Sequence, residues 1–66
     1  MKLTNIALQT IIASKEIKHK LGLALDRSEG SINLYLRENK DDLTKAAALK
    51  VIREETGLTD EEILEE

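Results

Sequence analysis

The chain contains no cysteine and no proline, and only one histidine, one aromatic residue and three glycines among its 66 residues. Without cysteine there is neither a disulfide nor a thiolate metal site. His19 alone, outside any CxxC or HExxH pattern, is too little to build a zinc centre. The lack of proline, the confinement of glycine to Gly22, Gly30 and Gly57, and the richness in Leu, Ala, Lys and Glu all favour helix. Strand signals are missing. No apolar run approaches the roughly 20 residues of a membrane span, and the first residues lack the basic-then-apolar layout of a signal peptide, so a cytoplasmic location is expected. There is no glycine-rich phosphate loop, no nucleophile elbow and no evident pair of carboxylates in a cleft, so neither catalysis, a cofactor nor a small-molecule substrate is expected. Tyr35, the single aromatic, reads as a core plug with its hydroxyl at the surface. One ring cannot build the stacking platform of a single-strand binder.

What is present is helical periodicity over one domain, residues 1–66. Leu3, Ile6, Ala7, Leu8, Ile11 and Ile12 form a stripe that predicts a first helix over about residues 4–13, with Thr4 or Asn5 as cap. Ser14 is a cap for a second helix carrying Ile17, Leu21 and Leu25. No strong breaker lies between residues 5 and 21, which leaves open whether these two helices run together. Asn39-Lys40-Asp41-Asp42 reads as a loop. A further helix follows through Leu43, Ala46, Ala47, Ala48, Leu49, Val51 and Ile52, with Asp41, Asp42 or Thr44 as cap, its alanines allowing close approach to a neighbour. Gly57 is placed to end it in a left-handed conformation. Thr59-Asp60-Glu61-Glu62 is a capping box opening a last short helix with Ile63 and Leu64.

The segment Leu21–Leu36 carries the most specific spacing. Two helices crossing near a right angle over a short turn need a small residue at the crossing, and Gly22 supplies it. Leu25 lies one turn on, facing the same side. Asp26 stands where the chain must leave the helix, and Asp tolerates the left-handed region. Ser28 can cap the next helix. Ile32, Tyr35 and Leu36 then face back onto the first helix, while Ser31, Asn33, Leu34 and Arg37 lie on or beside the other face. This is the outline of a helix-turn-helix, over about residues 18–38.

With a helix before it and the run Thr56-Gly57-Leu58-Thr59-Asp60-Glu61-Glu62-Ile63-Leu64 after it, the chain resembles the phage-repressor type of helix-turn-helix protein, the lambda repressor/Cro-like or XRE-like family. The last run looks like the family's closing turn and fifth helix. Asp26 departs from the glycine usual in the family's turn, and Glu29 and Gly30 occupy the first turn of the reading helix, where a carboxylate repels phosphate and glycine weakens the helix. The resemblance implies an all-α, compact five-helix domain with a central helix-turn-helix, binding double-stranded DNA to regulate transcription, in the simplest case repressing a promoter by occupying it. Useful specificity then calls for two copies on a palindromic site, and a homodimer through the C-terminal helix, by Ile63 and Leu64, is the expected pairing.

By the same resemblance Glu29, Gly30, Ser31, Asn33 and Leu34 are the base-contact candidates, with Arg37 nearer the backbone. Asn33 suits adenine through a bidentate amide, and its alternative is an exposed polar residue. Glu29 either accepts from a cytosine amino group or favours the helix dipole. Leu34 either meets a thymine methyl or packs on the fourth helix. Gly30 either admits a close approach of backbone or loosens the helix start. The phosphate candidates are Lys18, Lys20, Arg27, Arg37 and Lys40, together with Ser28, which has a sufficient role as a cap. A solvated surface is the alternative for each cation, and His19 reads as merely exposed.

The charge distribution is uneven. Residues 1–40 carry seven basic residues against four acidic ones, a balance of +3, whereas residues 41–66 carry three against nine, a balance of −6, for a net −3. A positive half holding the reading helix, backed by acidic helices over about residues 43–66, would orient the domain on DNA. The rival expectation is a protein-interaction module, such as an antirepressor or adaptor, that keeps the fold and binds another protein through its acidic helices.

Overall fold

The computed structural model describes residues 2–65. In chain order these form β1 (Lys2–Leu3), α1 (Asn5–Ile12), α2 (Lys15–Leu25), α3 (Glu29–Glu38), a 3-10 turn (Asp41–Thr44), α4 (Ala46–Thr56), α5 (Asp60–Ile63) and β2 (Leu64–Glu65). Over the described residues the protein is an all-α domain of five helices with a minimal strand pair.

Most helix starts follow from their caps. Thr4, Ser14, Ser28 and Thr59 are all extended, and each side-chain oxygen accepts from a backbone N–H three residues on. Ser14 separates α1 from α2: the Ala13 and Ser14 N–H groups close back on α1, and the extended Ser14 backbone then opens a new helix. The two helices therefore do not run together. Thr59 and Glu62 complete the capping box reciprocally.

α4 corrects the expected boundary. Leu43 belongs to the 3-10 turn, and α4 begins at Ala46 after Lys45, which makes no side-chain cap bond. Asp41, Asp42 and Thr44 do not cap it. The Thr44 hydroxyl donates back to the Asp41 carbonyl at 2.7 Å, and Asp42 pairs with Lys45 at 3.6 Å. The tighter turn delivers Leu43 into the core, where it is fully buried. Of the three consecutive alanines only Ala48 is buried, so the close approach is made by one residue.

The core takes residues from every element but β2: Leu3 from β1, Ala7 and Ile11 from α1, Ile17 and Leu21 from α2, Ile32 and Leu36 from α3, Leu43 from the turn, Ala48 and Ile52 from α4, and Ile63 from α5, with Leu64 of β2 partly buried against it. Tyr35 is half-buried against it. α2 is central, packing chiefly on α4 and α3. Among the described residues no buried side-chain N or O atom lacks a hydrogen-bond partner.

A strand pair is also present, against the expectation of none. Lys2 and Leu3 pair antiparallel with Glu65 and Leu64, and Lys2 and Glu65 form an ion pair at 3.6 Å. On the other edge of β1 the Asn39 side chain acts as a third strand: its Oδ1 accepts from the Leu3 N–H at 3.1 Å and its Nδ2 donates to the Leu3 carbonyl at 3.0 Å. Two-residue strands leave no periodicity to read, and this one is made by contacts far apart in sequence. The last helix accordingly ends at Ile63, and Leu64 lies in β2. Ile63 is fully buried in the chain's own core and Leu64 is half-buried, which removes Ile63 from any surface on which a second copy could dock. What α5 shows to solvent is Asp60, Glu61 and Glu62.

Candidate nucleic-acid interface

The crossing of α2 and α3 is built as the spacing requires. Gly22 is buried, and a Cβ there would stand 3.0 Å from the Arg27 carbonyl oxygen and 3.8 Å from Ile32 Cγ1. Asp26 sits in the left-handed region at φ 54°, ψ 50°. The Arg27 N–H donates to the Gly22 carbonyl at 2.9 Å and the Asp26 N–H reaches Leu23, the paired bonds of a Schellman ending. Ser28 then caps α3 by accepting from the Ser31 N–H at 3.2 Å, and its hydroxyl donates to Ser31 Oγ at 3.1 Å. Small residue, left-handed aspartate and capping serine together set the angle between the helices.

That angle turns Ile32 and Leu36 into the core and leaves Glu29, Gly30, Asn33, Leu34 and Arg37 exposed as a continuous outward face, Leu34 at 37%. Leu34 is thus on the surface and not packed away. Ser31 is half-buried and tied to Ser28, so both serine hydroxyls are engaged at the helix start.

The cations divide into two sets. Lys20 is held by Glu55 of α4 at 2.8 Å and by Glu16 at 3.2 Å, and the hydrogen bonds it donates to these two carboxylates raise its pKa above the ordinary lysine value. Lys40 pairs with Glu38 at 3.1 Å. Lys18, Arg27 and Arg37, by contrast, form no ion pair among the described residues. Arg27 donates to Tyr35 Oη at 3.2 Å, which holds the guanidinium beside the turn. Among the described residues Lys18, Arg27 and Arg37 thus have no carboxylate partner, while Lys20 and Lys40 are spent on carboxylates.

Lys18, Arg27, Ser28 and Glu29 also border an open depression of about 380 Å3 between α2 and the start of α3, whose remaining walls are His19, Gly22, Leu23 and Asp26. Leu23 is 70% exposed at its edge. The sequence reading did not single out Leu23, although helical geometry contained the signal: Leu21 and Leu25 point one way, and the residue between them points the other. No protein-family model matches the chain, and no curated protein or solved structure matches it.

Proposed function

We propose that this protein binds double-stranded DNA through the outward face of α3, as a small transcriptional regulator of the phage-repressor kind. The observation that carries the reading is that among the described residues the side chains of Glu29, Asn33 and Arg37 make no hydrogen bond or ion pair, and with Gly30 and Leu34 they lie exposed on α3, near a turn where Lys18 and Arg27 have no carboxylate partner. A helix about 10–12 Å across fits a major groove of about 12 Å. Asn33 offers adenine a donor and an acceptor together, Glu29 offers an acceptor to a cytosine amino group, and Leu34 offers a thymine methyl an apolar contact. Lys18, Arg27 and Arg37 supply sequence-independent attraction to phosphate. Regulation is steric, by occupation of a promoter, with no chemistry.

The test is fluorescence anisotropy of a labelled duplex from upstream of the protein's own gene and of a scrambled duplex, titrated at several salt concentrations. Tighter binding to the upstream duplex, weakening steeply with salt, is the expected result. Arg37→Ala should weaken binding to both duplexes and make the salt slope shallower by about one unit, whereas Asn33→Ala should lower the preference between sequences by about 1–3 kcal/mol at one base pair. Equal behaviour of both variants and the parent on every duplex would show that this face does not read DNA.

A second reading is favoured by the exposed carboxylate of Glu29 in the first turn of α3 and by the acidic outer surface of α5, both of which repel phosphate. In that reading the domain docks on another protein. Absence of binding to either duplex at low salt and micromolar protein would select it.

A further inference from the structure

Over a third of the residues in this chain are charged, yet α1 carries no charge at all. Its sequence, Asn-Ile-Ala-Leu-Gln-Thr-Ile-Ile, turns Ala7 and Ile11 inward, with Leu8 and Thr10 half-covered. At 100° per residue the exposed positions Asn5, Ile6, Gln9, Ile12 and Ala13 fall together on one outward face. Ile6 is 60% exposed and Ile12 46%. Isoleucine is a poorer helix former than the Lys or Glu that occupy solvent-facing positions elsewhere in the chain, so helix propensity does not explain these two side chains.

The arrangement of the face indicates what covers it. It reads the same in both directions about Gln9, with an isoleucine three residues before and three after, and a small or short side chain four residues before and four after. A two-fold axis through Gln9 brings α1 against α1 of a second copy antiparallel, Ile6 on the other copy's Ile12 and Ile12 on its Ile6. At the axis the two Gln9 amides meet, and each offers the other both a donor and an acceptor. Charge points the same way. Two copies that are each net negative repel, and the exposed surface of α5 would set acid against acid, whereas α1 can meet itself with no like charges opposed. We infer that the outward face of α1 is a self-complementary surface for a second copy of this chain, centred on Gln9.

A helix of eight residues is about 12 Å long, so the contact falls short of the roughly 800 Å2 per partner of a standard interface, and the dimer is a weak one that forms at high concentration. The inference stands independently of DNA binding. Sedimentation equilibrium of the full chain from about 10 μM to about 1 mM tests it. The weight-average mass should climb from 7.4 kDa toward twice that value. Gln9→Glu and Gln9→Lys, at an exposed position that leaves the core untouched, should each remain monomeric across the range with an unchanged circular dichroism spectrum. Mixing the two variants should restore association, because the charges at the axis then attract. A parent that stays at monomer mass, single variants that associate like the parent, or a mixture that fails to associate would each overturn the proposal.

Discussion

Asn39 shows how much one residue does here. Its backbone ends α3 in the left-handed region at φ 50°, ψ 54°, and its side chain pairs both backbone groups of Leu3. As a sequence feature it reads as one of three turn formers in a four-residue loop. Asparagine suits both tasks because it tolerates positive φ and because its amide has the donor and acceptor pattern of a peptide unit. Asn39→Ala should lower stability by about 2–3 kcal/mol in urea unfolding, since it strains the backbone and leaves two part-buried groups at Leu3 without protein partners. Asn39→Gly should regain the backbone part alone and fall between the two. If Asn39→Ala matched the parent, the side-chain pairing would have no energetic weight. Gly22 and Gly30 make a second contrast. Gly22→Ala should destabilise, because the new methyl meets the Arg27 carbonyl at 3.0 Å and that backbone is pinned by its own hydrogen bond. Gly30→Ala should raise the free energy of unfolding by up to about 1 kcal/mol, because Gly30 lies in a helix and the nearest atom to an added Cβ is Ser28 Oγ at 3.9 Å.

At the scale of elements, α5 is short enough that its cap decides whether it forms. Glu62 accepts from the Thr59 N–H at 3.0 Å and from the Thr59 hydroxyl at 3.1 Å, and these bonds hold its pKa below the ordinary glutamate value. A carboxylate with a lowered folded-state pKa adds stability that is complete above the unfolded value, near 4.5, and is lost as pH falls through the folded value. Glu62→Gln should therefore be less stable than the parent at pH 7, and the two unfolding curves should converge toward pH 2. A gap that persisted at low pH would show that the charge of Glu62 is not the cause. The caps Ser28 and Thr59 and the endings at Asp26 and Gly57 were legible in the sequence, since each is a relation between residues within one turn, whereas Thr4 stood beside Asn5 as a candidate and the break at Ser14 was left open. The 3-10 turn was not legible, because burial of Leu43 sets it and periodicity carries no record of which neighbour waits to be filled.

At the scale of the whole molecule, β1 couples residues 2–3 to both β2 and Asn39, so the terminal helix, the end of α3 and α1 share one junction. Thr4 adds to it, its N–H donating to the Ile63 carbonyl at 2.8 Å and its hydroxyl to the Glu62 carbonyl. A single core fed by all five helices, β1 and the 3-10 turn predicts one cooperative transition. Thermal melts followed by helical circular dichroism and by Tyr35 fluorescence should coincide, and separated midpoints would mean that the α2–α3 unit and the junction unfold apart.

The candidate site divides along the same line. The outward face of α3 followed from the 100° step between residues once Ile32 and Leu36 were assigned to the core. Which cations stay available did not follow, because Lys20 meets Glu55 only when α2 packs on α4. The sequence by itself determined the turn between α2 and α3, the ending at Gly57, the capping box at Thr59 and which face of α3 is turned outward, since those depend on hydrogen bonds and side-chain directions within a few residues. Only the tertiary structure decided that Ile63 is core and not interface, that Lys20 is held by Glu55 and that Asn39 completes a strand. Each of these depends on groups brought together from distant parts of the chain, and local pattern holds no information about which distant groups will meet.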